Sequence, residues 1–174
     1  ERALSQGASV DGRADVEAAD GFPADYSGCT MTALMLAVGL GRNRIARLLL
    51  ERGADVHARA FFGATAVHIG AEFGNVEMIV ALAAAGGDLN AADNLGFTPV
   101  LVAAQEGHVE VVKCLVEEGK ANVDLARNTG ATPLCIAALE GHVEVVKCLV
   151  EEGKANVDLA DNNGGTPLYF AALE

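Results

Sequence analysis

The apolar residues of this chain form pairs of short helical runs separated by glycine. One run, from Leu134 to Ala138, ends at Gly141, and a second run opens at His142. The second run spaces its apolar residues as one face of a helix, which predicts a buried side and a solvated side. The predicted buried side carries Val143, Val145, Val146, Leu149 and Val150, and the predicted solvated side carries Glu144, Lys147, Glu151 and Glu152. Gly153 is then predicted to stop the helix in a left-handed conformation.

The segment that joins one helix pair to the next has the composition of a tight turn. Residues 161–164 read Asp-Asn-Asn-Gly, and these residue types favour β-turns. A threonine follows each such turn, and its hydroxyl is suited to cap the first turn of a helix. Proline comes next at Pro99, Pro133 and Pro167, at the first helical position, where a missing N–H costs nothing.

This two-helix unit recurs along the chain. The segment EGHVEVVKCLVEEGKANVDLA occupies residues 106–126 and again residues 140–160, an offset of 34 residues. The capping threonine recurs at intervals of 33 or 34 residues, at Thr32, Thr65, Thr98, Thr132 and Thr166. A period of this length indicates units that bury their apolar faces by stacking on one another.

These repeated residues resemble the ankyrin repeat. The family's pattern is matched by TAVHIG at residues 65–70, GHVEVV at 107–112 and GADVHA at 53–58. The resemblance extends from Thr30 to the end of the chain and implies an all-α repeat solenoid, a stack of helix-turn-helix units with projecting β-turn fingers. The predicted units are 30–62, 63–95, 96–129 and 130–163; residues 1–29 would be a remnant of an earlier unit plus a long loop, and 164–174 part of a further one.

The chain departs from the family pattern at two kinds of position. The first-helix histidine is present only as His68; the other units carry Met35, Leu101, Cys135 and Tyr169 there. Lys120 and Lys154 are single-residue insertions, which account for the spacing of 34. His108 and His142 belong to the Gly-His element of the pattern, and we expect them to hydrogen-bond backbone carbonyls between units.

The two ends carry their own expectations. The stretch from about residue 11 to residue 31 is longer than any other finger, so it predicts an extended loop with Phe22, Pro23 and Tyr26 as candidate contact residues. Two alignments of this stretch with later units stay open. The last residues fall inside a first helix, so we expect that the array continues further or that another chain covers its ends.

The resemblance implies that a protein partner meets the finger tips and the exposed faces of the first helices. Phe61 and Phe62 replace the polar residues of a finger tip, and exposed aromatic pairs are typical of interaction sites. The position after the histidine slot is apolar in every unit, and it either packs between helices or faces the concave groove. The candidate partner-binding residues are Phe61, Phe62, Leu36, Leu40, Ile69, Glu72, Phe73, Leu95, Val102, Gln105, Arg127, Ile136 and Leu139.

Composition and charge exclude several classes of ligand. The net charge of −12 would repel nucleic acid and anionic membrane surfaces, and it either keeps a repeat protein soluble or indicates a basic partner. Glutamates would border the apolar column at Glu72, Glu106, Glu140 and Glu174, so a partner segment with an apolar ridge flanked by Lys or Arg would fit. No apolar run reaches the length of a membrane span, so we expect no membrane insertion. The four cysteines lack C-x-x-C pairing and predict a reducing intracellular compartment, the cytoplasm or an organelle.

No catalytic or cofactor motif is present in the sequence. Each full unit carries three to five glycines, mostly at helix ends and turns, and no phosphate-binding loop, calcium loop or paired nucleophile and base accompanies them. We therefore expect no enzyme activity, cofactor, metal or small-molecule substrate. The sequence predicts a non-catalytic protein–protein interaction scaffold; the alternatives are a structural spacer within a large assembly and a regulatory ankyrin module of a longer enzyme or channel.

Overall fold

The computed structural model describes residues 11–15, 30–117 and 121–173. A short antiparallel hairpin comes first: strand β1 (Arg13–Asp15) pairs with β2 (Thr30–Thr32), with Ala14 opposite Met31. Nine α-helices follow in the described part of the chain, with a 3-10 turn at Phe61–Gly63 between the second and the third. They are α1 (Ala33–Gly39), α2 (Asn43–Glu51), α3 (Ala66–Glu72), α4 (Val76–Ala84), α5 (Pro99–Gln105), α6 (Val109–Glu117), α7 (Pro133–Leu139), α8 (Val143–Glu151) and α9 (Pro167–Ala171).

Threonine hydroxyls start the first helices, as the sequence predicts. Thr32, Thr132 and Thr166 each accept a hydrogen bond from the backbone N–H three residues later, at 3.3 Å. Proline occupies the first turn of α5, α7 and α9. Thr98 differs, because its buried hydroxyl oxygen has no hydrogen-bond partner among the described residues.

The helices stack in two layers. The first helices of successive units contact one another in the order α1, α3, α5, α7, α9, and the second helices do so in the order α2, α4, α6, α8. A hydrophobic core runs between the layers from Met31 to Ala155. None of the described helices combines the length and the apolarity that a membrane crossing requires. The predicted all-α repeat stack is confirmed.

The structure corrects the sequence analysis at three places. The stretch from about residue 11 to residue 31, predicted to be one extended loop, contains strand β1 near its start and most of strand β2 at its end. Phe22, Pro23 and Tyr26 lie outside the described residues. Gly153 is not left-handed, since the inserted Lys154 takes that conformation with φ 56°. The insertion moves the left-handed position one residue on, whereas Gly53 and Gly86 hold it in units without the insertion.

The third correction concerns Val143, which was predicted to be buried but is 61% exposed. Its counterpart in the identical helix α6, Val109, is half-buried. The described residues place no second helix on the far side of α8. Val143 therefore lines an apolar hollow of about 370 Å³ at that end of the stack, together with Leu168.

Candidate functional site

In the described ranges, four β-turn fingers project from the stack, at residues 60–63, 93–96, 127–130 and 161–164. We number them first to fourth. In the second finger the Asp93 N–H donates to the Phe97 carbonyl at 2.9 Å, and the Gly96 N–H donates to the Asp93 carbonyl at 3.1 Å. The Asp93 carboxylate also accepts from the backbone N–H groups of Leu95 and Phe97, both at 2.8 Å. The fourth finger repeats this arrangement around Asp161. The predicted tight turns are therefore present.

Hydrogen bonds between successive fingers hold the finger tips in a row. The Asn94 backbone N–H donates to the Phe62 carbonyl at 2.8 Å. The equivalent bonds run from Asn128 to Leu95 and from Asn162 to Thr129, each at 3.0 Å. Each tip is thus tied to its neighbours, so a surface made by two fingers has a fixed geometry before any partner arrives.

The first finger presents two aromatic rings to solvent. Phe61 and Phe62 are 57% and 55% exposed, and their ring centroids lie 4.1 Å apart at an interplanar angle of 57°. Phe62 has φ 59°, a left-handed conformation that costs a residue with a side chain roughly 1 kcal/mol or more. Strain of this kind at an exposed position is a reason to look for a function there.

A groove of about 300 Å³ lies between the first two fingers and the helices α3 and α5. We call it the aromatic groove. Its lining consists of Met31, Ala60, Phe61, Phe62, Ala64, His68, Glu72, Asp93, Leu95, Phe97, Val102, Gln105 and Glu106. Six candidate residues from the sequence meet here: Phe61, Phe62, Glu72, Leu95, Val102 and Gln105. Two of them come from the first finger, one from the second, and three from α3 and α5.

The other candidate residues lie outside the lining of the groove. Ile69 and Ile136 are buried between helices, which corrects the expectation that they face a partner, because a core side chain offers no surface. Leu36, Leu40 and Phe73 are half-buried and pack against the core. Leu139 is half-buried at the end of α7.

Arg127 belongs to the third finger and reaches toward the groove. Its guanidinium carbon lies 5.3 Å from the centroid of the Phe97 ring, and its Nε donates to the Thr129 hydroxyl at 2.8 Å. Phe97 is a lining residue that the sequence analysis missed. A weak signal was present, because three other units have a small residue before the capping threonine (Ala64, Ala131 and Gly165), although the first unit has Met31 there.

His68 connects two residues at the base of the groove, Thr65 and Phe97, through hydrogen bonds. The Thr65 N–H donates to His68 Nδ1 at 3.1 Å, which leaves the proton on Nε2 to be donated to the Phe97 carbonyl at 3.0 Å. Burial lowers the pKa of His68, so the neutral ring is the stable form in the folded chain. The predicted bonds between units are formed by His108 Nε2 to the Glu72 carbonyl and His142 Nε2 to the Gln105 carbonyl, at 2.8 and 2.9 Å.

The lowered pKa of His68 makes stability depend on pH. The unfolded chain binds the proton at a higher pH than the folded chain does, so the stabilisation is complete above the unfolded pKa of 6.5 and declines as pH falls below it. We expect this one group to add a slope of at most about 1.4 kcal/mol per pH unit to the free energy of unfolding. Urea melts at about pH 7.5 and about pH 5.5 measure it. The variant His68→Gln should show a smaller loss between the two pH values, and equal losses would contradict this role.

Two features of the described residues bear on chemistry other than binding. Within them, no group of three or more His, Cys, Asp or Glu side chains is placed to hold a metal ion. Cys114, Cys135 and Cys148 are buried, and burial raises the pKa of the Cys148 thiol to about 11. A thiol with that pKa stays protonated at neutral pH and is a poor nucleophile.

Comparison with known proteins agrees with the architecture. The family model described as ankyrin repeats (3 copies) matches residues 34–127 and 119–174. A mouse protein (Mus musculus), protein fem-1 homolog A-like, is 47% identical over 51 residues, a match that covers 29% of this chain and 8% of the mouse protein. The chain thus spans only a small part of that relative's length. Because the family model covers most of the chain and the described helices form the matching stack, this chain belongs to the ankyrin-repeat family.

Proposed function

We propose that this chain is a non-catalytic scaffold that binds a segment of a protein partner in the aromatic groove and along the neighbouring first helices. Ankyrin repeats generally mediate protein–protein interaction, which supports the class of function. The observation that carries the proposal is the pair of exposed rings, Phe61 and Phe62, beside an open groove. In this proposal the chain binds a protein. It binds no nucleic acid, cofactor or small-molecule substrate, and it does not insert into a membrane.

The energetics of the two rings support a binding role. Burial of apolar surface contributes about 25 cal/mol per Å² to the stability of a complex. Covering the two phenylalanine rings therefore contributes about 2 kcal/mol or more for each ring, before the costs of association are subtracted. Leu95, which is 53% exposed on the second finger, lengthens the same apolar surface. The hydrogen bond from Asn94 to Phe62 fixes the two fingers beforehand, which reduces the ordering cost of binding.

A rigid spacer in a larger assembly is the second candidate. The hydrogen bonds between fingers and the identical segments 106–126 and 140–160 favour a stiff array of interchangeable units. A regulatory ankyrin module within a longer enzyme or channel would use the same surfaces. We place the chain in a reducing intracellular compartment such as the cytoplasm or an organelle, on the basis of the buried free thiols of Cys135 and Cys148.

The double substitution Phe61→Ala with Phe62→Ala tests the groove. Peptides are first selected on the whole chain from a library of short random peptides displayed on phage, and their affinity is then measured by fluorescence anisotropy. We expect the double variant to bind the selected peptides at least about tenfold more weakly, because truncation of paired aromatic anchors removes the contacts that dominate an interface. The melting temperature of the double variant should stay within about 2 °C of that of the unaltered chain, because both rings are exposed.

The matched control is Leu168→Ala with Tyr169→Ala. These side chains are also exposed apolar groups, but they lie on α9, away from the aromatic groove. Binding should be retained in this variant. Peptides that bind both double variants as well as they bind the unaltered chain would remove the groove from the proposal.

A further inference from the structure

We infer that the aromatic groove is built to receive an arginine or lysine side chain of the partner, with its cationic group against the rings of Phe61 and Phe62 and facing Glu106. The inference rests on the proposed function and adds the chemistry of the partner: an extended segment in which a cationic residue has apolar neighbours.

The polar part of the groove lining is acidic. Glu72, Asp93 and Glu106 contribute carboxylates, and no Lys or Arg is among the lining residues. His68 contributes no positive charge, since burial lowers its pKa. The whole chain adds a net charge of −12, which raises the concentration of cationic segments near the surface. Two cations lie close to this lining: Arg127 over Phe97, and Arg59, which donates to the Gly63 and Ala92 carbonyls. Both are already engaged, and the three carboxylates of the lining outnumber them.

Two of these carboxylates, those of Asp93 and Glu106, differ in what they offer to a cation. Asp93 Oδ1 already accepts two backbone N–H groups, so it serves the turn. Glu106 lies at the end of α5, is exposed, and accepts from the Gln105 side chain at 3.1 Å. It takes part in none of the three ion pairs that the described residues form. Glu106 is therefore the carboxylate best placed to meet a partner's charge.

Arg127 shows how a cation fits against a ring of this groove. Its guanidinium already lies over Phe97, which is a lining residue, at 5.3 Å from the ring centroid. Contacts of this kind are weakly stabilising at exposed sites. Phe61 and Phe62 have no such cation among the described residues and expose more than half of their surface. A partner's arginine or lysine would supply for these rings what Arg127 supplies for Phe97, with Glu106 as an additional attraction.

The test uses peptides selected on the whole chain from the phage library. We expect the groove-binding peptides to carry an arginine or lysine flanked by apolar residues. Replacing that residue by citrulline, which keeps the shape of arginine and removes its charge, should weaken binding about tenfold, the combined loss of the cation–ring contact and the ion pair. Substitution of Glu106→Gln should weaken binding of the arginine peptide by about threefold to fivefold and leave the citrulline peptide unchanged.

Glu140→Gln is the matched control. Glu140 occupies the same position at the end of α7 as Glu106 at the end of α5, is also exposed, and does not line the aromatic groove. Both variants remove one negative charge, so a general field effect would weaken binding equally in the two. The inference requires that only Glu106→Gln weakens it.

The outcomes separate this inference from the proposed function. Peptides that need Phe61 and Phe62 but bind equally well with citrulline and with Glu106→Gln would overturn the inference and leave the groove as a binding site. Selected peptides indifferent to Phe61→Ala with Phe62→Ala, or a library without any groove-binding peptide, would overturn both. Equal weakening by Glu106→Gln and Glu140→Gln would also overturn the inference, since the charge would then act at long range.

Discussion

Replacing Leu115 with alanine is expected to lower the free energy of unfolding by about 3 kcal/mol, within the usual range for a buried leucine. Leu115 is fully buried in α6, and this helix contacts α4, α5 and α8. Because helices pack against α6 on both sides, the surrounding side chains have little freedom to collapse into the space left by the missing atoms. The free energy of unfolding of a domain is only about 5–15 kcal/mol, so this one substitution removes a large share of the stability.

Urea unfolding followed by circular dichroism measures this loss. The control is Val143→Ala, an apolar truncation in α8, whose sequence is identical to that of α6. Val143 is mostly exposed, so its truncation should change the free energy of unfolding by about 0.5 kcal/mol or less. A loss of about 1 kcal/mol or less for Leu115→Ala would mean that α6 is not packed as described.

Gly130→Ala is expected to destabilise the chain by about 3 kcal/mol through two separate effects. Gly130 has φ 84°, and a left-handed residue with a side chain costs roughly 1–2 kcal/mol. A Cβ at this position would also lie 2.6 Å from the backbone nitrogen of Asn162 and 2.5 Å from its side-chain oxygen. Asn162 is held by its hydrogen bond to the Thr129 carbonyl, so it moves only if the bond between the third and fourth fingers breaks.

Gly164→Ala separates the two effects. Gly164 is the same residue of the fourth finger, with φ 86°, but nothing lies within 4 Å of a Cβ built there. Its substitution should cost only the backbone strain, roughly 1–2 kcal/mol. The difference between the two free energies of unfolding, from parallel urea melts, measures the steric conflict with Asn162. Equal losses would show that the fingers do not approach each other as closely as described.

Most of the architecture could be predicted because the repeat imposes it. Every first helix begins directly after one of the capping threonines, and the apolar spacing predicted α8 and, through the identical segment, α6. The features that were predicted wrongly depend on which helix packs next to a residue or on the insertion of a single residue. Val143 has the same local sequence as Val109, and only the next helix distinguishes their exposure. The left-handed role of Lys154 follows from one inserted residue, which periodicity does not report.

The candidate site could be predicted in part for a similar reason. Phe61 and Phe62 break the polar pattern of the fingers, so the sequence alone marks them. Ile69 and Val102 occupy the same column of the repeat, yet Ile69 is buried and Val102 lines the groove. The column does not encode that difference, because it depends on how the fingers lie over each first helix. Phe97 enters the groove for the same reason.

The left-handed backbone of Phe62 has a consequence for anyone who optimises this chain. A survey of backbone geometry would nominate Phe62→Gly as an improvement, because glycine adopts φ 59° without penalty. The same change would erase one of the two rings on which the proposed partner docks. At this residue, a substitution that raises thermal stability is expected to lower the affinity for the partner. Such a trade-off is seen where a strained conformation supports activity.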